Sequence, residues 1–185
     1  MTTVALFGGS FNPPHVAHQL VALYVLETQP IDELWLVPTF AHAFGKELAA
    51  YDQRVAMCEL AAAPLGARVR VSRAEQELAA NPDFVASRTL DLIEHLERPG
   101  VQFRLVVGSD ILGETAQWHR WDEIARRAPP IVVSRPGRPG GTGVAIDVSS
   151  TRVRELLAAR DPAVSALVPR AVLSYIAGHG LYDRA

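Results

Sequence analysis

Five short apolar runs punctuate the chain of 185 residues: Val4–Phe7, Leu34–Val37, Val69–Val71, Phe103–Val107 and Ile131–Val133. Each is too short for a helix and is mostly apolar, with Arg70 and Arg104 the interruptions, the pattern of a strand covered on both faces. Between most of them the apolar positions take on helical spacing, most clearly over His18–Glu27, Gln53–Ala62, Ser87–Leu96, Trp121–Arg127 and Ser150–Ala159, with a last such stretch at Arg170–Ala177. Strands alternating with helices predict an α/β fold, a Rossmann-like doubly wound parallel sheet with helices on both faces. The stretch Arg135–Gly143 interrupts the pattern. Six of its nine residues are Gly or Pro, a density no helix or central strand holds, so it is read as loop.

In open α/β sheets ligands bind beyond the carboxyl ends of the strands, and the first strand runs into the chain's most informative segment. After Val4–Phe7 come Gly8-Gly9-Ser10-Phe11-Asn12-Pro13-Pro14-His15-Val16-Ala17-His18. The glycines let backbone amides approach a ligand that a Cβ would obstruct, and the prolines stiffen the approach to a helix whose first amides lack internal partners. Such a helix end attracts anions. His15 and His18, three residues apart, share a face of the first turn, so both imidazoles can reach one bound phosphate. Three plainer readings compete: an ordinary strand-to-helix turn, histidines with no ligand, and a zinc pair. Zinc is the weakest, because the chain has a single cysteine, Cys58, and no second group at ligand spacing stands out. Cys58 lies in an apolar helical stretch and reads as core. A dinucleotide-type glycine fingerprint fails too, since Asn, Pro, Pro and His stand where its last glycine would be.

A second anion motif opens the helix near the C-terminus. Ser149, Ser150 and Thr151 give three consecutive hydroxyls, followed within a turn by Arg152 and Arg154. An N-cap accounts for one serine, but three hydroxyls with arginines suit charge-assisted contacts to a polyphosphate. Gly108 and Asp110 follow the fourth strand, where the glycine permits close approach and the carboxylate can accept from ribose hydroxyls or cap a helix.

Composition narrows the classes. A hydrophobic fraction of 49% fits a soluble globular chain, and the length suits one domain, 1–185, able to bury a core without disulfides or structural metal. A net charge of −2 and a pI near 6.3 argue against binding to a nucleic acid polymer, which needs a basic surface. No segment approaches the roughly 20 apolar residues of a membrane span, and no signal peptide is visible. The expectation is a cytoplasmic protein.

The segment Gly8–His18 resembles the histidine motif of the nucleotidyltransferase superfamily, and Ser149-Ser150-Thr151-Arg152-Val153-Arg154 resembles its C-terminal serine/threonine–arginine motif. Within that superfamily the chain is most similar to bacterial nicotinate-nucleotide adenylyltransferases. The likeness extends through Ser87-Arg-Thr-Leu-Asp91, Val107-Gly-Ser-Asp110, Gln117-Trp-His-Arg-Trp121, Val133-Ser-Arg-Pro-Gly137 and the closing Tyr175–Tyr182 block, in the family's order. Two departures stand out. Ala17 replaces the glycine that usually separates the histidines, and His42-Ala-Phe-Gly-Lys46 replaces a segment that commonly has adjacent proline, histidine and a basic residue.

The resemblance implies adenylyl transfer from ATP to nicotinate mononucleotide, giving deamido-NAD and pyrophosphate. It assigns His15, His18 and Arg154 to catalysis, and Gly8, Gly9, Ser10, Phe11, Gly108, Asp110, Ser150, Thr151 and Arg154 to ATP. Lys46, Thr89 and Trp118 fall to the mononucleotide, with Lys46 taking the basic role from a different backbone position and Trp118 lining the pyridine pocket. Trp121 reads as core. Donors at His119 and Arg120 would make that pocket mildly positive, and Arg135 could brace phosphates, as could Arg138. Residues 150–185 would complete the ATP site. Mg2+ would accompany ATP, held by phosphates and water with no dedicated protein metal site, and a homodimer is implied. The alternatives are a dual nicotinate/nicotinamide mononucleotide enzyme, a phosphopantetheine adenylyltransferase and a non-catalytic nucleotide sensor.

Overall fold

The computed structural model describes residues 1–41, 48–82, 84–109, 113, 115, 118–134 and 148–183. All five expected strands form: β1 (Thr2–Gly9), β2 (Glu33–Pro38), β3 (Val69–Val71), β4 (Val101–Gly108) and β5 (Pro130–Val133). They make one parallel sheet in the order β3-β2-β1-β4-β5. The chain winds outward from β1 to β3, then returns to place β4 on the other side of β1, so the topological switch point lies between β1 and β4.

The ladder shows how this junction opens. β1 pairs with β4 only as far as Leu6 opposite Leu105. Beyond that register β1 stays with β2 through Gly9 opposite Pro38, and β4 stays with β5 through Gly108 opposite Val133. The central strands therefore part at their carboxyl ends, and the loop after β1 starts at the resulting crevice.

The helices are α1 (Val16–Thr28), α2 (Tyr51–Ala62), α3 (Ala74–Ala79), α4 (Thr89–Leu96), α5 (Trp121–Arg127), α6 (Ser150–Ala158) and α7 (Arg170–His179). Alternation along the strands sends side chains to two separate cores. Ala5, Leu34, Leu36 and Val106 pack with Ala22, Val25 and Leu26 of α1 and with Cys58 and Ala62 of α2. Val4, Leu6, Phe103, Leu105 and Val107 pack on the other face with Ala74 of α3, Leu90 and Ile93 of α4 and Ile124 of α5. Both faces are covered, as the apolar runs predict.

A third cluster explains the C-terminal helices. Met57 and Ala61, on the side of α2 away from the sheet, pack with Val148, with Val153 of α6, and with Val172 and Ile176 of α7. This layer fixes α6 relative to α2, and α2 is fixed to the sheet. Ile176 is 4% exposed, so Ile176→Ala is expected to lower unfolding free energy by about 2–4 kcal/mol in urea denaturation. A loss below about 1 kcal/mol would mean that the C-terminal layer can collapse around the deletion.

Candidate active site

The loop after β1 turns on Phe11, whose φ is 44°, a left-handed conformation uncommon for a bulky residue. Its ring points into the core, 1% exposed, and meets Phe7 edge-on at 5.7 Å and His18 at 4.9 Å. Any contact from Phe11 to ATP must therefore come from its main chain. The two glycines also differ. A Cβ on Gly9 would lie 3.2 Å from the Phe11 ring, whereas one on Gly8 would meet nothing within 4 Å. A Cβ on Gly9 would crowd the aromatic ring packed over it, whereas one on Gly8 would enter open space.

Three carbonyls of this loop are bonded from behind by side chains of distant elements. Arg54 Nη1 donates to Ser10 O at 2.9 Å, Arg154 Nη1 to Asn12 O at 2.8 Å, and Ser150 Oγ to Pro13 O at 2.9 Å. Asn12, 3% exposed, adds its side-chain oxygen, which accepts from Ala49 N–H at 3.1 Å and from the Tyr182 hydroxyl at 2.7 Å. With the Ser10 carbonyl turned inward, the trans Ser10–Phe11 peptide sets the Phe11 N–H on the opposite side. The Asn12–Pro13 peptide is cis.

His15 is the N-cap of α1, and its backbone N–H donates to His18 Nδ1 at 3.1 Å. Since Nδ1 accepts, the ring proton of His18 sits on Nε2. The two imidazoles stack with centroids 3.7 Å apart and planes 24° from parallel. They are not equivalent. His15 is 5% exposed while His18 is half-buried, so His18 is the accessible member of the pair.

On α6 the N-cap is Ser149, whose hydroxyl accepts from Arg152 N–H at 3.2 Å. Ser150 commits its hydroxyl proton to Pro13 O, so its contribution to an anion is its first-turn amide. Thr151 Oγ1 accepts from Arg154 Nη2 at 3.3 Å, which leaves the threonine proton available to a ligand. The two anion-binding helix ends expected from the sequence are thus joined directly, α6 docking onto the loop that leads into α1. Gly108 lies across the crevice at the end of β4.

The other assigned residues sit elsewhere or outside the description. Thr89 opens α4, whose start is tied to the segment after β2 by Ser87 N–H donating to Ala41 O at 3.3 Å and Ala41 N–H to Ser87 Oγ at 3.3 Å. These bonds hold Ser87 outside the helix, which begins two residues later than its periodicity predicts. Trp118 meets Trp121 edge-on at 5.5 Å. Both line a depression of about 600 Å³ with Thr115, Arg120, Asp122 and Glu123, so Trp121 is a wall residue as well as a core contact. Arg120 is paired with Glu123, a carboxylate it shares with Arg126 and Arg127, so its guanidinium is partly committed within α5. Lys46, Asp110, Arg135 and Arg138 lie outside the described residues. Among the described residues no cluster of three or more His, Cys, Asp or Glu could hold a metal ion.

Sequence reasoning missed Arg54 and Glu75. Arg54 is 1% exposed and Glu75 7%. The Glu75 carboxylate accepts from Phe40 N–H at 3.0 Å. Burial raises its pKa above the usual carboxylate value, opposed by hydrogen bonds from Ser87 and Phe40 and by the charge of Arg54. Cys58 is fully buried, with its thiol pushed up by burial, and is core as expected.

The cytidylyltransferase-like family model matches residues 6–156, a span running from the glycine loop through the first two turns of α6. The chain belongs to that family, among the nicotinate-nucleotide adenylyltransferases. It is 50% identical over 184 residues to a protein of Anaeromyxobacter sp. (strain K) named "Probable nicotinate-nucleotide adenylyltransferase", covering 97% of this chain and 96% of the relative. A Myxococcus xanthus protein of the same name is 41% identical, covering 97% and 94%. Among solved structures, Plasmodium falciparum nicotinic acid mononucleotide adenylyltransferase complexed with NaAD superposes with a TM-score of 0.80 at 18% identity, covering 98% of both chains. At that identity the match speaks to the fold, a nucleotidyltransferase α/β architecture.

The glycine geometry separates stability from binding. Gly9→Ala should cost about 1–3 kcal/mol, because the Phe11 ring is held by Phe7 and His18 and cannot yield. Gly8→Ala should change stability by no more than about 0.5 kcal/mol, since its Cβ enters open space, yet weaken ATP about tenfold or more by occupying the ligand's approach. Parallel chemical denaturation and ATP titration of the two variants check this. Equal stability losses, or unaltered ATP affinity in Gly8→Ala, would show that the loop has been assigned the wrong ligand-facing side.

Proposed function

We propose that this chain transfers the adenylyl group of ATP to nicotinate mononucleotide, forming deamido-NAD and releasing pyrophosphate in NAD biosynthesis. The observation that carries the reading is the direct docking of α6 onto the loop after β1, through Ser150 to Pro13 and Arg154 to Asn12. It joins two anion-binding helix ends at the switch-point crevice of a chain whose close relatives bear this activity in their names.

A 5′-phosphate oxygen of the mononucleotide attacks the α-phosphorus of ATP. The bond from that phosphorus to the oxygen bridging to the β-phosphate breaks, and pyrophosphate leaves with the electron pair. The nucleophile is already an anion, so no general base is required, and catalysis consists of alignment and charge stabilisation. His18 Nε2–H donates to the oxygens of the transferring group. His15 supports it by stacking and by the backbone bond that fixes its tautomer. The first-turn amides of α6, the Thr151 hydroxyl and the remaining donors of Arg154 hold the leaving phosphates, so residues 150–185 complete the ATP site. Mg2+ arrives with ATP as part of the substrate, coordinated by phosphates and water.

In this proposal Gly108 and Asp110 face the adenosine ribose, and Trp118, Thr89 and Lys46 serve the mononucleotide. With Arg120 paired, the support for a ring carboxylate is the N-terminal end of α4, where Arg88 is the N-cap and Thr89 the first residue and the helix dipole is positive. The proposal further takes the chain to act in the cytoplasm, as a homodimer, without a nucleic acid polymer. Among the described residues no helix is long and apolar enough to cross a membrane.

The deciding assay is pyrophosphate release with ATP and each candidate acceptor. Nicotinate mononucleotide should exceed the nicotinamide form by roughly 10- to 150-fold in kcat/KM, the worth of ~1.5–3 kcal/mol for a charged-group contact, and phosphopantetheine should be inert. Equal values for the two mononucleotides would replace the reading with a dual enzyme, and nucleotide binding without turnover would leave a sensor.

His18→Ala should lower kcat by about 10²-fold or more with KM for ATP changed far less, because its donor acts mainly on the transferring group. The lost bond to the His15 N–H should also cost about 0.5–2 kcal/mol of stability, as for a helix cap. Unaltered turnover in a folded variant would remove His18 from the catalytic set.

A further inference from the structure

Behind the loop after β1, on its core side, lies a cation that adenylyl transfer as described does not use. The side chain of Arg54, in the first turn of α2, is among the largest fully buried ones. Its Nε donates to Ala49 O at 2.9 Å, its Nη1 donates to Ser10 O at 2.9 Å, and the guanidinium carbon lies 5.4 Å from the centre of the Tyr51 ring. Among the described residues no carboxylate comes within ion-pair distance of it.

Among the described residues the acidic groups around it supply only part of the counter-charge, and none of it in contact. Burial pushes Cys58 and Tyr182 far up and Tyr51 to about 12, so all three remain neutral beside the guanidinium. Glu75 is near enough to attract the guanidinium but is not in ion-pair contact with it, and its oxygens accept from Phe40 N–H and Ser87 while burial works against its charged form. A buried charge with no counter-charge is costly, and removing its partner is among the more damaging changes a protein can suffer. A fold that keeps such a cation against the back of an anion-binding loop has the anion itself as its counter-charge. The geometry is suited to this. The Ser10 carbonyl faces Arg54, so the Ser10–Phe11 peptide dipole runs from the guanidinium toward its N–H on the far side.

We propose that Arg54 is a positioning residue for the polyphosphate of ATP: from behind the loop it orients the Ser10–Phe11 peptide and supplies a buried positive charge, without touching the nucleotide. The inference rests on the adenylyltransferase reading for the identity of the anion. Its bond to Ala49 O, together with the bond from Ala49 N–H to Asn12, also fixes the chain leading into α2 against the same loop. A purely structural arginine would do the latter and leave phosphate recognition alone.

The test compares Arg54→Lys and Arg54→Met with the wild-type chain by calorimetric titration of ATP, inorganic pyrophosphate and adenosine, each below the variant's own Tm. Arg54→Met should weaken ATP and pyrophosphate by about tenfold or more while adenosine shifts by no more than about twofold. Arg54→Lys, which keeps the charge but cannot bridge both carbonyls, should hold the ATP-to-adenosine affinity ratio within about threefold of wild type even if stability falls. The inference is overturned if Arg54→Met keeps its pyrophosphate affinity, if ATP and adenosine weaken in proportion, or if Arg54→Lys loses the ratio although its charge remains. Should Arg54→Met not fold, Arg54→Gln, which keeps hydrogen-bond donors but loses the charge, takes its place under the same criteria. Wild-type turnover measured alongside keeps the inferences separate: a wild-type chain that binds pyrophosphate but makes no dinucleotide refutes the reaction and leaves Arg54 to be judged by the binding ratios.

Discussion

The hydrogen bonds that hold the carbonyls of Ser10, Asn12 and Pro13 from behind are the constraint on which the site depends. Their donors come from α2, α6 and the first turn of α6 again, at Arg54, Arg154 and Ser150. A glycine- and proline-rich loop has no ladder or helix to occupy its backbone groups, and polar groups left bare in a buried loop are expensive. Long side chains solve this by reaching in from helices that are themselves packed on the sheet. The outcome is directional at one peptide: with the Ser10 carbonyl engaged on the core side, the Phe11 N–H is presented to the crevice, whereas the Asn12 and Pro13 carbonyls precede prolines and their bonds fix only the course of the loop. An anion site made this way is formed before the ligand arrives, which is what electrostatic catalysis requires.

The sheet and most helices were legible because they follow local periodicity. A strand covered on both faces is mostly apolar along its length, and all five such runs became strands despite Arg70 and Arg104, with Trp121–Arg127 matching its expected helix at both ends. What escaped was set by contacts distant in sequence or by brevity. The six residues Ala74–Ala79 are too few to show a helical period, and Glu75 within them is buried because it caps the backbone after β2, a role no pattern of hydrophobicity encodes. Ser87 looked like a helix residue and is instead held to Ala41.

The site divides the same way. The histidines, the serine/threonine–arginine turn and the glycines can be found by reading along the chain, since their chemistry is carried by neighbours in sequence. Their particular tasks could not. Gly9 is glycine on account of an aromatic ring two residues on that turns back over it, and Ser150 gives its proton to a carbonyl 137 positions away. His15 and His18 look interchangeable as letters, yet His15 is buried and gives its backbone N–H to the ring of His18, which is half-buried. Arg120 reads as a free cation until Glu123 of the next turn is seen beside it. Arg54 gave no signal at all, because an arginine in an amphipathic helix normally faces water.

These partner choices bear on why the chain needs its C-terminal helices. The reaction asks the protein to gather several negative charges, those of a triphosphate and an attacking phosphate, into one crevice, and water would screen the attraction that makes this feasible. Cations displayed on a flexible surface would gain little from such a ligand. Here Arg154 is half-buried and tied to Asn12, and Arg54 is wholly buried and tied to Ser10, so neither must be ordered when the nucleotide binds. The packing that secures them is apolar: Val153 beside Arg154 inserts into the cluster of Met57, Val172 and Ile176, and Met57 lies one turn along α2 from Arg54. A hydrophobic layer thus sets the positions of both arginines, and with them the positive charge held behind the loop after β1.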